Sequence, residues 1–186
     1  GEYWTAIGAS AGYGASGNDY TNMIGYRAGY QTSGCHQANI IGRDAGYLAS
    51  GCGHVDMIGR RAGWEANNCN YLLAIGYEAA KFAQYSDHNI ALGRSAASGM
   101  NDVDHTNFIG YQAGINSSGN YSTTFIGYNA GKHSANATTG VYLGESAGSH
   151  GSGLKQSVGI GLNAFAQATG IQNSVALGHS AGTYAE

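Results

Sequence analysis

Apolar and polar positions along this chain recur with a period of 17. The pair Ile-Gly or Leu-Gly begins at residues 7, 24, 41, 58, 75, 92, 109, 126, 143, 160 and 177, eleven times without insertion or deletion. Three places after each of these glycines stands an alanine, from Ala11 and Ala28 through to Ala181. Counted from its Ile or Leu as position 1, each unit reads [Ile/Leu]-Gly-x-x-Ala, with Gly usual at position 6 and eleven variable positions after it. Repetition on this scale governs the fold before any local propensity does.

A 17-residue unit is too short for the helix pairs of the common α-repeats, and glycine at two positions per unit costs a helix roughly 1 kcal/mol each. Two short strands and two turns fit instead, at ~3.3 Å rise per residue and ~4.8 Å between stacked strands. The expected fold is all-β, a parallel β-solenoid of eleven rungs about 50 Å long, forming one domain over residues 1–186. Runs such as Thr21-Asn22-Met23-Ile24 and Thr106-Asn107-Phe108-Ile109 supply the first strand, and steps such as Ser16-Gly17, Ser33-Gly34 and Ser118-Gly119 supply turn chemistry. The invariant Gly marks a positive φ or a site with no room for a Cβ, and the invariant Ala a tightly packed inward position.

Positions 16 and 17 exchange bulk along the chain. Where position 17 is large (Met23, Ile40, Met57, Phe108, Phe125), position 16 is polar (Asn22, Asn39, Asp56, Asn107, Thr124). Where position 17 is small (Ala74, Ala91, Gly159, Ala176), position 16 is branched aliphatic (Leu73, Ile90, Val158, Val175). Alternate strand residues face opposite ways, so both faces are apolar somewhere. A row of Met and Phe turned outward marks an interface, and the expectation is a homotrimer with these residues in the seam between chains; the alternative is that this face lies in a wide single-chain interior.

Composition narrows the functional classes. The chain has 32 glycines, no proline, 10% charged residues, only 8 Lys and Arg and a net charge of −3. No basic stripe is evident, so nucleic acid and anionic membranes are not expected partners. No apolar run reaches membrane-spanning length, and the start lacks the features of a signal peptide, so the chain reads as a fragment of a longer fibre with no membrane insertion.

The segment Asn173-Ser174-Val175-Ala176-Leu177-Gly178-His179-Ser180-Ala181-Gly182 resembles the head repeats of YadA-like trimeric autotransporter adhesins. Asn107-Phe108-Ile109-Gly110-Tyr111-Gln112-Ala113-Gly114 and Thr124-Phe125-Ile126-Gly127-Tyr128-Asn129-Ala130-Gly131 resemble the [Ile/Leu]-Gly-x-x-Ala-Gly repeats of phage tail fibres. The resemblance implies a left-handed β-roll, three chains about one axis, an extracellular location on a virion tail fibre or bacterial cell surface, and attachment to a host or surface. The repeat here is longer than that of the adhesin heads.

Candidate chemistry is sparse. Cys35, Cys52 and Cys69 share position 12 in consecutive units, within disulfide reach once stacked, and read either as a disulfide ladder or as packed small side chains. His54, His88 and His105 share position 14 but are interrupted by Tyr71, while His133 and His150 are adjacent at position 8. Neither set supplies a metal site, Asp102 and Asp104 lack the repeat of calcium-binding rolls, and no metal or cofactor is expected. No nucleophile elbow, zinc-protease motif or phosphate loop occurs, and the chain reads as no enzyme. Asn116, Asn120 and Asn136 begin N-x-Ser/Thr triplets.

One column stands out. Position 7 carries Tyr13, Tyr30, Tyr47 and Trp64 in the first four units and then loses its aromatics. It is read either as an architectural stack or as a strip of ring faces, bordered by Arg27, Arg43, Arg60 and Arg61, that binds a cell-surface glycan or receptor. Three functions follow: an attachment fibre, a shaft with no binding site of its own, and an ice-binding solenoid. The best threonine column for ice, position 15, runs Thr21, Ala38, Val55, Leu72, Asn89, Thr106, Thr123 and is irregular.

Overall fold

In the computed structural model, which describes residues 3–67 and 69–186, eleven strands from Trp4–Ile7 to Val175–Leu177 form one 11-stranded parallel sheet in chain order. Each strand pairs with its equivalent in the next unit: Trp4 lies opposite Thr21, Phe108 opposite Phe125 and Val158 opposite Val175. Each repeat position therefore stacks on itself as a column. The protein is an all-β solenoid, one repeat per rung.

The glycine after each strand is required twice over. Gly25, Gly42 and Gly59 have φ of 134°, and a Cβ on any of them would run into the carbonyl oxygen of the glycine in the next rung. Beyond this corner the chain runs through tight turns with left-handed residues at positions 4, 6 and 8, as at Arg27 (φ 50°), Gly29 (φ 64°) and Gln31 (φ 51°). Hydrogen bonds between rungs hold this arm: Arg27 N–H donates to the Ala9 carbonyl at 3.0 Å and Gly29 N–H to that of Ala45 at 2.9 Å.

The returning arm departs from the sequence expectation. Among the described residues, only Gln84–Asp87 and Asn101–Asp104 pair as a second, two-stranded sheet; elsewhere pairing shrinks to isolated parallel bridges at positions 10 and 13. Left-handed residues at position 14, such as Gln37 and His105, and at position 11, such as Gly34 and Asp102, break the strand every three residues.

The second departure concerns which face is inside. Positions 15 and 17 point inward and positions 16 and 1 outward, as the alternating burial of Thr21–Ile24 and Val55–Ile58 shows. Met23, Ile40, Met57, Phe108 and Phe125 are fully buried within the single chain, so they form its core and not a seam between chains. The bulk at position 17 is balanced by position 6, six residues further on. A Cβ at Gly29, Gly63, Gly114 or Gly131 would collide with Met23, Met57, Phe108 or Phe125 respectively. After the small residues Ala74, Ala91 and Gly159, the same position carries Ala80, Ala97 and Phe165, all buried. A bulky side chain on one wall of the slot is thus met by glycine on the other, and in the middle rungs alanine by alanine, as close packing requires. The invariant Ala column lines the same interior; Ala28, Ala45, Ala96 and Ala130 are fully buried.

Candidate functional site

With the core closed inside one chain, the outward columns carry whatever contacts the protein makes. Position 1 faces out in every rung: Ile24, Ile75, Ile126 and Ile160 are 37%, 38%, 37% and 40% exposed. Beside it, position 16 is polar in the early rungs, where Asn22 donates to Asn39 (3.0 Å) and Asn39 to Asp56 (2.7 Å). It becomes aliphatic at Leu73 and Ile90 and again at Val141, Val158 and Val175, of which Val141 and Val175 are exposed. The result is an apolar lane along the whole outer face of the large sheet.

The position 7 column is a continuous stack. Ring centroids are 5.2 Å apart for Tyr13–Tyr30, 5.0 Å for Tyr30–Tyr47 and 4.5 Å for Tyr47–Trp64, with planes within 21° of parallel. The rings cover one another's faces and present edges to solvent, whereas a sugar stacks on a face. The bordering arginines divide into two groups. Arg27 lies over Tyr47 (5.2 Å) and Arg61 over Trp64 (5.1 Å), but Arg27 pairs with the buried Asp44 at 2.7 Å and Arg61 with Glu78 at 3.2 Å. Burial opposes ionisation of Glu78, yet contacts with Lys81 and Arg61 hold its carboxyl below the usual range. Arg43 and Arg60 belong instead to the position 3 column.

That column escaped the sequence reading. It runs Tyr26, Arg43, Arg60, Tyr77, Arg94, Tyr111, Tyr128 and is bound by cation–π contacts: Arg43 to Tyr26 (5.7 Å), Arg60 to Tyr77 (5.6 Å), Arg94 to Tyr77 (5.4 Å) and to Tyr111 (5.7 Å). All five arginines of the chain fall at positions 3 and 4, a local basic lane that the low overall charge concealed.

The other candidates resolve as follows. Cys35 and Cys52 form a disulfide between neighbouring rungs with Cα atoms 4.7 Å apart, while Cys69 keeps a buried thiol pushed up to about 12 by desolvation. Tyr71 continues the histidine column where an interruption was expected: His54, Tyr71, His88 and His105 stack at 5.1, 4.5 and 4.6 Å. His133 and His150 lie 4.9 Å apart on exposed turns, and among the described residues no three His, Cys, Asp or Glu side chains converge on one point. Asn120 is buried, donating to Ser134 Oγ (2.8 Å) and accepting from Ala137 N–H (2.9 Å), so it is closed to glycosylation, whereas Asn116 and Asn136 are exposed. The threonine column proposed for ice lies inside, with Thr21, Thr106 and Thr123 at most 1% exposed. Among the described residues, no helix is long and apolar enough to cross a membrane. A scan against protein-family models and a search of curated proteins found no match.

Proposed function

We propose that this chain is a non-catalytic segment of an extracellular attachment fibre, on a bacterial cell surface or a virion, that assembles as a homotrimer. The observation that carries the reading is the lane of outward Ile and Leu at position 1, widened by the aliphatic residues of position 16. The lane is about 50 Å long, one side chain wide where position 16 is polar and two wide at Leu73, Ile90, Val141, Val158 and Val175, which makes it longer than the isolated patches common on monomers. The seam is thus assigned to positions 1 and 16. The Cys35–Cys52 disulfide suits an oxidising compartment, and the resemblance to adhesin heads and tail fibres supports the number of chains.

The stacked position 7 rings favour a second reading, a shaft with no binding site of its own. Light scattering tests the assembly. A trimer is expected, and changing both Ile109 and Ile126 to Asp should dissociate it, because two unpaired charges cannot be buried in the seam. A folded wild-type monomer at micromolar concentration would overturn the trimer.

A further inference from the structure

The position 3 lane has a chemistry that the seam does not use. Arg43, Arg60 and Arg94 are all exposed, and among the described residues Arg60 and Arg94 have no carboxylate partner. Arg43 shares Asp44 with Arg27, its Nε lying 3.4 Å from the carboxylate. Each of the three guanidinium groups lies over a tyrosine ring, and Arg94 is flanked by Tyr77 and Tyr111. A guanidinium held by a ring face through cation–π attraction keeps N–H donors that the ring does not engage. The tyrosines therefore hold the forks in place before any ligand arrives, which lowers the entropy lost on binding.

We propose that Arg43, Arg60 and Arg94, with the hydroxyls of Tyr26 and Tyr111, form a linear binding strip for an acidic polysaccharide lying along the solenoid axis. Carboxylate or sulfate groups pair with the forks, and sugar hydroxyls bond with the phenols. The spacing sets the pattern of charge: Arg43 and Arg60 are one rung apart, about 4.8 Å, and Arg94 lies two rungs beyond, about 9.6 Å. A pyranose in an extended chain has a length close to one rung, so the strip matches a polymer with an acidic group on every one or two sugars. Nucleic acid fits less well. Three accessible cations fall short of the ~6–10 phosphate contacts that make such binding strong, and the rest of the chain carries a net negative charge. The site lies one corner glycine away from the position 1 lane, at the rim of the proposed seam.

This inference rests on the attachment reading and names its ligand class. The test uses the full chain, with binding measured by calorimetry to a polygalacturonate oligomer, a hyaluronan oligomer, a neutral dextran oligomer and a single-stranded oligodeoxynucleotide. Binding of at least one acidic oligosaccharide, with none of the dextran, is expected. The Arg60→Gln/Arg94→Gln variant should lose about tenfold in affinity per arginine with an unchanged melting temperature. The Arg60→Lys/Arg94→Lys variant should recover only part of it, because lysine keeps the charge and loses the fork. Protection of Arg60 and Arg94 from phenylglyoxal by the bound oligomer, read by mass spectrometry, gives the same answer without a variant. No binding to either acidic oligomer at millimolar concentration, binding indifferent to the double Gln variant, or tighter binding of the oligonucleotide would overturn the proposal. Light scattering on the same samples separates the two readings, since lost binding by an intact trimer removes the strip and leaves the assembly.

Discussion

In the rung that holds Phe108 the opposite turn carries Gly114, whereas in the rung that holds Gly159 the same turn position carries Phe165. In both cases one aromatic ring occupies the slot between strand and turn, delivered from opposite walls. A Cβ at Gly114 would strike the Phe108 ring, and one at Gly159 would meet Phe165 at 3.1 Å. The middle rungs take an intermediate course, with Ala74 answered by Ala80 and Ala91 by Ala97. The difference teaches that the two walls of the slot are specified as a pair, so neither column can be interpreted alone. It also explains why position 6 is only usually glycine while position 2 is always so: position 6 answers to a side chain that varies, position 2 to a backbone carbonyl that does not.

The most forceful way to break this comparison is to exchange the walls. Phe108→Gly empties the slot and should cost about 4 kcal/mol. Gly114→Phe alone places a second ring in a filled slot and should cost at least about 3 kcal/mol, up to loss of folding. The double variant should cost about 3 kcal/mol less than the sum of the two, because it recreates the arrangement around Gly159 and Phe165. Phe165 already holds a left-handed φ of 54°, so the turn tolerates the residue. Urea denaturation of the four proteins checks this, and additive losses would show the walls uncoupled.

The corner glycine sharpens the contrast, since nothing compensates there. Gly110→Ala sets a methyl against the carbonyl of Gly127 at a φ of 135° and should cost about 2–3 kcal/mol. Pairing it with Phe108→Ala should give simple additivity, and rescue by the smaller core residue would contradict the assignment. A weaker effect of opposite sign is expected at Tyr142, the next member of the Phe108–Phe125 stack. Among the described residues its buried hydroxyl has no hydrogen-bond partner, and desolvation pushes the phenol well above its usual range. Tyr142→Phe should therefore stabilise the fold by about 1 kcal/mol, measurable as a higher urea midpoint, and destabilisation would reveal a partner for the hydroxyl.

The period, the strand before each corner, and the roles of the Gly and Ala columns were legible in the sequence because each is a property of one column. Which face is interior was not. Positions 16 and 17 are both apolar somewhere, and the residue that decides between them is six places away through a turn whose left-handed positions are often occupied by Arg27, Glu78, Asn129 or other side chains that give no glycine signal. Stacking alone placed Cys35, Cys52 and Cys69 within disulfide reach and the Tyr13–Trp64 rings in one column, but it left bonded and packed cysteines as alternatives, and the structure has both. That those rings show edges, and that Tyr71 joins its histidine neighbours into one stack, required the direction of each side chain. The arginine lane is hidden for a different reason: a net charge of −3 averages over the chain, whereas the arginines gather at positions 3 and 4 of the repeat.

The smallest expected effect compares two histidine columns on the surface. At position 14, His88 Nδ1 lies 2.9 Å from the Asp87 carboxylate. At position 8, His133 faces His150 and follows Lys132; burial, then the charges of His150 and Lys132, hold its imidazole below the ordinary value. The folded state therefore binds this proton less readily than the unfolded chain, which protonates at about 6.5. Above that pH both states are neutral and the group contributes nothing. As pH falls through this value the unfolded state gains the proton first, so stability declines, and the decline ends below the folded value. Because the pair is largely exposed, the loss is a fraction of a kcal/mol and shrinks with salt. His150→Gln should flatten that part of the stability–pH curve between pH 7.5 and 5, and an NMR titration should place His133 below the unfolded value. A His133 that titrates above it would reverse the sign and show that an acidic group, not burial and the neighbouring cations, governs this turn.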